Sequence, residues 1–458
     1  MLPANLTPIP AFLRVSSGFT RPHITTTITL AVPGRDRAGT GRFKGIRLAD
    51  PIRVILNDRP LRQTLTGVGH YIYQLMLEFD RHAADVRADP FFFKALGRQD
   101  WRRRPHDESD AQTRDAKARR DIGGSRKPWW LRRIMQSAYG FAFRLSSRNY
   151  DLYHEPNHIA MPANVPIVTT IHDLSVLVYP KWHPDDRVRW YEAEFQKSVA
   201  RTARFIAASE FTKAEMVKRL NIAPERIDVT YQASRAAFGV ASPERVRHVL
   251  EALRLPQRFF LFVGTLEPRK NIPCLLESYA ALPGPLRERH PLVIVGAWGW
   301  NQDALRDRVS HLIGKTVHIV GYQNDETLAA LYSACVALVW PTFYEGFGLP
   351  PLEAMACGAA VLASQCSSLP EVVGDAGELV QVDKVPAWTE ALRRIAEDTD
   401  YRNDLRRRGL ARAATFTWRR CAEQTIDCYR RAIESSTPIN EKRRQVTNAA
   451  KAIQPVRH

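Results

Sequence analysis

The stretch WPTFYEGFGLPPLEAMACG, from Trp340 to Gly358, sets two carboxylates around a glycine-rich turn. Glu345 opens the turn, and Gly346 and Gly348 leave its backbone uncovered. Pro350 and Pro351 fall in the first turn of a following helix, where a missing N–H breaks no helical bond. Free backbone N–H groups at such a start can meet an anion. Glu353 lies within that helix, too far from Glu345 to share a helix face with it. The two acids could therefore hold two ends of one ligand, although the stretch alone also fits two surface acids and an ordinary turn. Earlier, TLEPRKN places Arg269 and Lys270 side by side after the apolar run Phe259 to Gly264. A planar fork beside a point charge suits a diphosphate, and the carboxyl end of a strand is where open α/β sheets bind ligands. His172 ends a strand in TTIHDL, where a lone histidine is more often a satisfied structural residue than a functional one. Gly67 and Gly69 form a Gly-x-Gly at a helix start, which would let a ligand approach closely.

The elements that must position these residues alternate. Apolar runs at Ile52 to Leu56, Phe91 to Leu96, Asp151 to His154, Ile167 to Ile171 and Phe205 to Ala208 read as strands between helices. A second series runs through Phe259 to Gly264, Leu292 to Gly296, Val317 to Val320, Ala337 to Trp340 and Ala360 to Ala363. Alternation of this kind predicts two Rossmann-like α/β domains with parallel sheets. The expected division is a poorly ordered extension over 1–50 and an N-terminal domain over 51–233 with a basic insertion at 101–133. A linker follows over 234–256, then a C-terminal domain over 257–417. A closing helix over 418–435, returning to the first domain, and a flexible tail over 436–458 complete the chain. All six cysteines follow residue 270 without a Cys-x-x-Cys pair, which reads as packed, reduced thiols.

Lysine and arginine exceed aspartate and glutamate by 66 − 48 = 18, so an acidic partner is expected. The segment RKPWWLRRIMQSAYGFAF, 126–143, could lie on an anionic membrane surface as a basic amphipathic helix. Nucleic acid is not expected, since it would need basic and aromatic residues across one face, which only the 101–133 insertion suggests. No run is long enough to cross a bilayer and no secretory signal is evident. The expected location is cytoplasmic, with peripheral contact at the inner face of the plasma membrane. His154, Glu155 and His158 in YHEPNHIA imitate metal-ligand spacing but lie in a loop without a partner cluster. No metal and no cofactor are expected.

LFVGTLEPRKN, VGYQNDETLAALYSA and YEGFGLPPLEAMACG, in that order, resemble the retaining GT-B-fold glycosyltransferases of family 4, the glycosyl transferases group 1. TGVGHYIYQL, TIHDL and ASEFT match more loosely in the first half. The resemblance implies transfer of a hexose from a nucleotide-sugar donor bound on the C-terminal side. Glu345 would contact donor-sugar hydroxyls and Glu353 the ribose, while the turn at Gly346, with the backbone of Phe347, Gly348 and Leu349, meets the diphosphate. Arg269 and Lys270 would neutralise the departing phosphate. Thr265 stands where many members carry an arginine, which leaves that charge to Arg269 and Lys270. His172 would lie beside the donor sugar, Gly67 and Gly69 near donor or acceptor, and Tyr322 near the nucleobase. The motifs are closest to bacterial mannosyltransferases of surface polysaccharide or O-antigen synthesis. GDP-mannose is the preferred donor, with UDP sugars behind it, and a glycan or lipid-diphosphate-linked glycan is the acceptor. A sugar-nucleotide epimerase or hydrolase of the same fold, or a non-catalytic membrane-associated scaffold, are the alternatives.

Overall fold

The computed structural model describes residues 50–62, 67–91, 140–296 and 315–452, all within a compact unit beginning at Asp50. Short apolar runs able to bury both faces become the strands of two six-stranded parallel sheets. The first holds β1 (Ile52–Leu56), β2 (Val86–Pro90), β3 (Leu152–Glu155), β4 (Ile167–Ile171), β5 (Arg204–Ala207) and β6 (Ile227–Val229), in the order β2-β1-β3-β4-β5-β6. The second holds β7 (Phe260–Val263), β8 (Leu292–Val295), β9 (Val317–Ile319), β10 (Ala337–Trp340), β11 (Ala360–Ser364) and β12 (Glu378–Val380), in the order β12-β11-β10-β7-β8-β9. Here β7 and β10 are neighbours from which the chain winds in opposite directions. The loops leaving their carboxyl ends therefore open onto one crevice, the topological switch point. TLEPRKN follows β7 and the Glu345 loop follows β10, so two motifs far apart in sequence share that crevice.

Several expectations are corrected. The second strand is Val86–Pro90 rather than Phe91 to Leu96; Phe91 is already helical, and its buried ring packs edge-on against Phe143 at 4.8 Å. The 234–256 segment is not a bare linker, because Ser242 caps a helix over Pro243–Ala252. The last helix, Trp418–Ala452, continues through the region expected to be a flexible tail, whose Lys, Arg, Gln and Ala residues favour helix. That helix leaves the second sheet and packs on the first: Trp418 Nε1 donates to Ser234 O at 3.0 Å, Tyr429 OH meets His154 Nδ1 at 2.7 Å, and Arg430 pairs with Asp85 at 2.8 Å. One core cluster runs from Val54 and Tyr71 through Cys421 and Tyr429 to Leu338 and Trp388. All six cysteines are free, five of them buried. Among the described residues no helix is long and apolar enough to cross a membrane. The 1–49 extension, the 101–133 insertion and residues 126–139 of the basic amphipathic segment lie outside the described residues.

Candidate active site

At the switch point the chain after β7 makes a short helical turn over Pro268–Lys270, and Asn271, at φ 52°, turns it into the Ile272–Ala280 helix. This sets Lys270 inward, its Nζ 4.3 Å from the centre of the Trp340 ring at the end of β10. Glu345 is buried between the two cations. Lys270 Nζ donates to Glu345 Oε1 at 2.5 Å and Arg269 Nη1 to Oε2 at 2.9 Å, while Arg269 Nη2 reaches Glu267 at 2.8 Å. Burial alone would raise the Glu345 carboxyl, but Arg269 and Lys270 outweigh it and hold the group below its usual range. Lys270 moves the other way: burial, and then repulsion from Arg269, weaken its hold on a proton. The result is two acids and two cations balanced in a water-poor pocket, where charge interactions are strong.

The turn itself is pinned by hydrogen bonds from two serines. Ser368 Oγ donates to the carbonyls of Glu345 and Phe347 at 3.0 and 2.8 Å, and Ser209 Oγ donates to the Gly346 carbonyl at 2.6 Å. In planar trans peptides the N–H groups of Gly346, Phe347 and Gly348 then point away from those hydroxyls in fixed directions. Gly346 is obligatory for a packing reason, since a Cβ there would stand 1.9 Å from the His172 carbonyl oxygen. Gly348 is obligatory for a conformational one, its φ of 109° being reserved to glycine at the start of the Leu349–Ala356 helix.

The first half closes over this turn. Asp173 Oδ1 accepts from Ser175 N and Oγ; burial would raise it, but Arg269 and His158 pull it down. Tyr344 OH accepts from Leu174 N at 3.2 Å, and a Cβ on Gly67 would touch Leu349 at 3.8 Å, so the Gly-x-Gly helix start faces the second helix start. Gly69 is buried within its own helix. Glu371, from the second half, accepts N–H bonds from Glu210 and Phe211 at 2.9 and 3.1 Å, at the start of the Glu210–Leu220 helix. His172 is fully engaged, with Nε2 2.9 Å from the Pro156 carbonyl and Nδ1 3.2 Å from Gln232 Nε2. The carbonyl can only accept, so Nε2 carries the proton and Nδ1 accepts. Burial lowers its pKa to about 4, leaving an uncharged, oriented ring packed edge-on against Tyr71 at 5.0 Å.

Glu353 has a partner that sequence reasoning missed. Arg235 donates to Glu353 Oε1 through Nη2 at 3.0 Å and Nε at 3.2 Å, to Asp325 at 2.5 Å, and to His70 Nε2 at 3.0 Å. Burial pushes the Glu353 carboxyl up to about 7 against the pull of Arg235. Arg235 lies in the aperiodic segment read as a linker, and its partners are 118, 90 and 165 residues away, so no local pattern marks it. Thr265 is exposed just beyond β7, and Tyr322, beyond β9, is 61% exposed, away from the buried cluster.

His154 and Glu155 lie in β3 rather than in a loop, and with His158 beyond it they do not converge. His154 bonds Thr170 and Tyr429, His158 bonds Tyr191, and Glu155 accepts from Asn57, Tyr153 and Asn157 N. Burial raises the Glu155 carboxyl from 4.5 to about 7, against the hydrogen bonds that favour its charged form. A folded pKa above the unfolded one means that the native state binds the extra proton, so this stability is present below about pH 4.5 and lost through pH 7. Glu155→Gln is therefore expected to gain about 3 kcal/mol relative to the parent between pH 5 and pH 8. Urea denaturation of both proteins at both pH values checks it. His154, His158 and His172, whose pKa values burial lowers, titrate in the opposite sense, so the difference between the two proteins is the readout.

Comparison with known proteins bears on this geometry. The family model for glycosyl transferases group 1 matches residues 249–412, and that for glycosyltransferase family 4 matches residues 65–233. The O-antigen chain mannosyltransferase B of Escherichia coli is 34% identical over 391 residues, covering 83% of this chain and 100% of the relative. The serotype-specific mannosyltransferase WbdA of Escherichia coli is 30% identical over 357 residues, 76% of this chain but 42% of the relative. Among solved structures, Anabaena HepE in complex with UDP-glucose matches with a TM-score of 0.58 at 17% identity, covering 84% of this chain and 100% of that one, a likeness of fold.

Proposed function

The chain belongs to the glycosyl transferases group 1 family, and from that membership we propose that it is a mannosyltransferase of O-antigen or lipopolysaccharide synthesis. It moves mannose from GDP-mannose to a hydroxyl of a glycan, carried on a lipid diphosphate, with retention of configuration. The observation that carries the reading is the Arg269–Glu345–Lys270 cluster at the β7/β10 switch point. When donor enters, its sugar hydroxyls take the Glu345 carboxylate, which can accept from two of them at once. Arg269 and Lys270 are then free to turn to the diphosphate. Negative charge grows on that group as the glycosidic bond breaks, so these cations stabilise the transition state more than the bound donor. Glu353 receives the ribose hydroxyls, with Arg235 keeping its carboxylate oriented. His172, held neutral, shapes the sugar pocket without adding charge. The acceptor hydroxyl attacks from the face that the leaving phosphate vacates and passes its proton to that phosphate, so no separate base is required. The two cations supply the charge a metal would otherwise bring. The net charge of +18 favours a site beside anionic lipid on the cytoplasmic side of the membrane.

The test is transfer by the full chain from GDP-mannose, UDP-glucose and UDP-galactose to a mannose-terminated acceptor, with the new linkage assigned by NMR. The expected product carries an α-linked mannose from GDP-mannose alone. A β linkage, or use of the UDP sugars only, overturns the donor and stereochemical assignments. Donor consumption without acceptor, giving free sugar or a new sugar nucleotide, points instead to a hydrolase or epimerase.

A further inference from the structure

Three aromatic rings from both halves stack into a column at the solvent side of the cluster. Tyr179 lies on Trp182 with centroids 3.9 Å apart and planes 20° from parallel, and Trp182 lies against Phe343 at 5.9 Å and 25°. Tyr179 and Trp182 come from the segment after His172 and Asp173, whereas Phe343 belongs to the loop that leads into Glu345. Phe343 N donates to the Arg269 carbonyl at 2.9 Å, which ties the column to the cation pair. Both end rings stay open to water: Tyr179 and Phe343 are each 37% exposed. Clustered exposed rings beside a site are more informative than scattered ones.

A pyranose suits such a column, since its flat face of C–H bonds can lie on the electron-rich face of an aromatic ring.

We propose that Tyr179, Trp182 and Phe343 form a stacking subsite for a pyranose of the acceptor glycan. The proposal rests on the reading above that the acceptor is a glycan. The column belongs to acceptor rather than nucleobase on topological grounds. Phe343 leaves β10, while the β9 edge of the sheet lies beyond β7 and β8. A donor laid from Glu345 toward β9 points its base away from these rings. The column draws on both halves, so the subsite depends on their packing against each other.

The experiment titrates α-mannotetraose into the full chain and into Tyr179→Ala, Phe343→Ala and Tyr179→Phe, and measures transfer from GDP-mannose in parallel. Losing a stacked ring is expected to weaken mannotetraose binding and raise acceptor KM about fivefold to tenfold. Tyr179→Phe, which keeps the ring, should match the parent, and donor KM should stay within about twofold in all three. Unchanged glycan binding in both alanine variants overturns the subsite. So does a donor KM that rises in step with acceptor KM, which would leave the rings as packing between the halves. If the parent binds mannotetraose through these rings but transfers no sugar, the reaction assigned above fails and the subsite stands. If it neither binds nor transfers, both fail.

Discussion

Glu345→Gln is expected to lower transfer about 10²–10³-fold, the scale seen when one preorganised charge partner is removed from a transition state. The amide keeps the size of the side chain but cannot accept from donor hydroxyls and balance two cations at once. The same substitution also costs stability. Glu345 is 6% exposed and bonded to both Arg269 and Lys270, so neutralising it leaves two largely buried cations with Glu267 as their paired acid and Asp173 acting on Arg269 at longer range. Breaking a buried pair from one side costs about 3 kcal/mol, which urea denaturation reads directly. Near-normal turnover in this variant would remove Glu345 from the mechanism.

The second large effect comes from Lys270, and it separates the two roles of the cluster. Lys270→Met is expected to reduce transfer about 10²-fold, because in the proposed reaction one of the two cations that meet the leaving diphosphate is gone. Its effect on the fold should be smaller than that of Glu345→Gln, since Arg269 still holds the carboxylate and a methionine chain can lie on Trp340. Combining Lys270→Met with Glu345→Gln restores the charge balance around Arg269 and Glu267. The double variant is therefore expected to recover most of the stability lost by Glu345→Gln, a departure from additivity typical of contacting residues, while transfer stays at the level of the worse single variant. Additive stability losses would mean that the cluster is not the coupled unit its distances indicate.

Much of this arrangement was legible in the sequence because its strands announce themselves. FLFV, LVIV, ALVW and AVLAS are buried on both faces and read as continuous apolar runs. What escaped notice lies at the edges. β2, β6 and β12 close the sheets, are half exposed, and carry charged residues in VRADP, IDV and ELV. Their membership comes from backbone pairing with an inner neighbour, such as Ile52 with Val86, which leaves little mark on composition. At the site, Arg269, Lys270, Glu345 and the glycines could be picked out by type and local spacing. Arg235, Asp173, Ser209 and Glu371 act through partners in the other half of the chain, and only the closed crevice brings them together.

The helix beginning at Trp418 has a consequence for how the protein is made. It follows the second sheet in sequence yet fills the face of the first, where Tyr429 meets His154 and Arg430 meets Asp85 across 345 residues of chain. As the ribosome works, the first half emerges with that face bare and must wait for the whole second half to be synthesised before its core is complete. Exposed apolar surface during such a wait is what invites misassembly and the attention of chaperones. The same wait has an ordering effect: the first half acquires its finished form only once the second half is present, so neither part of the crevice matures as a separate module.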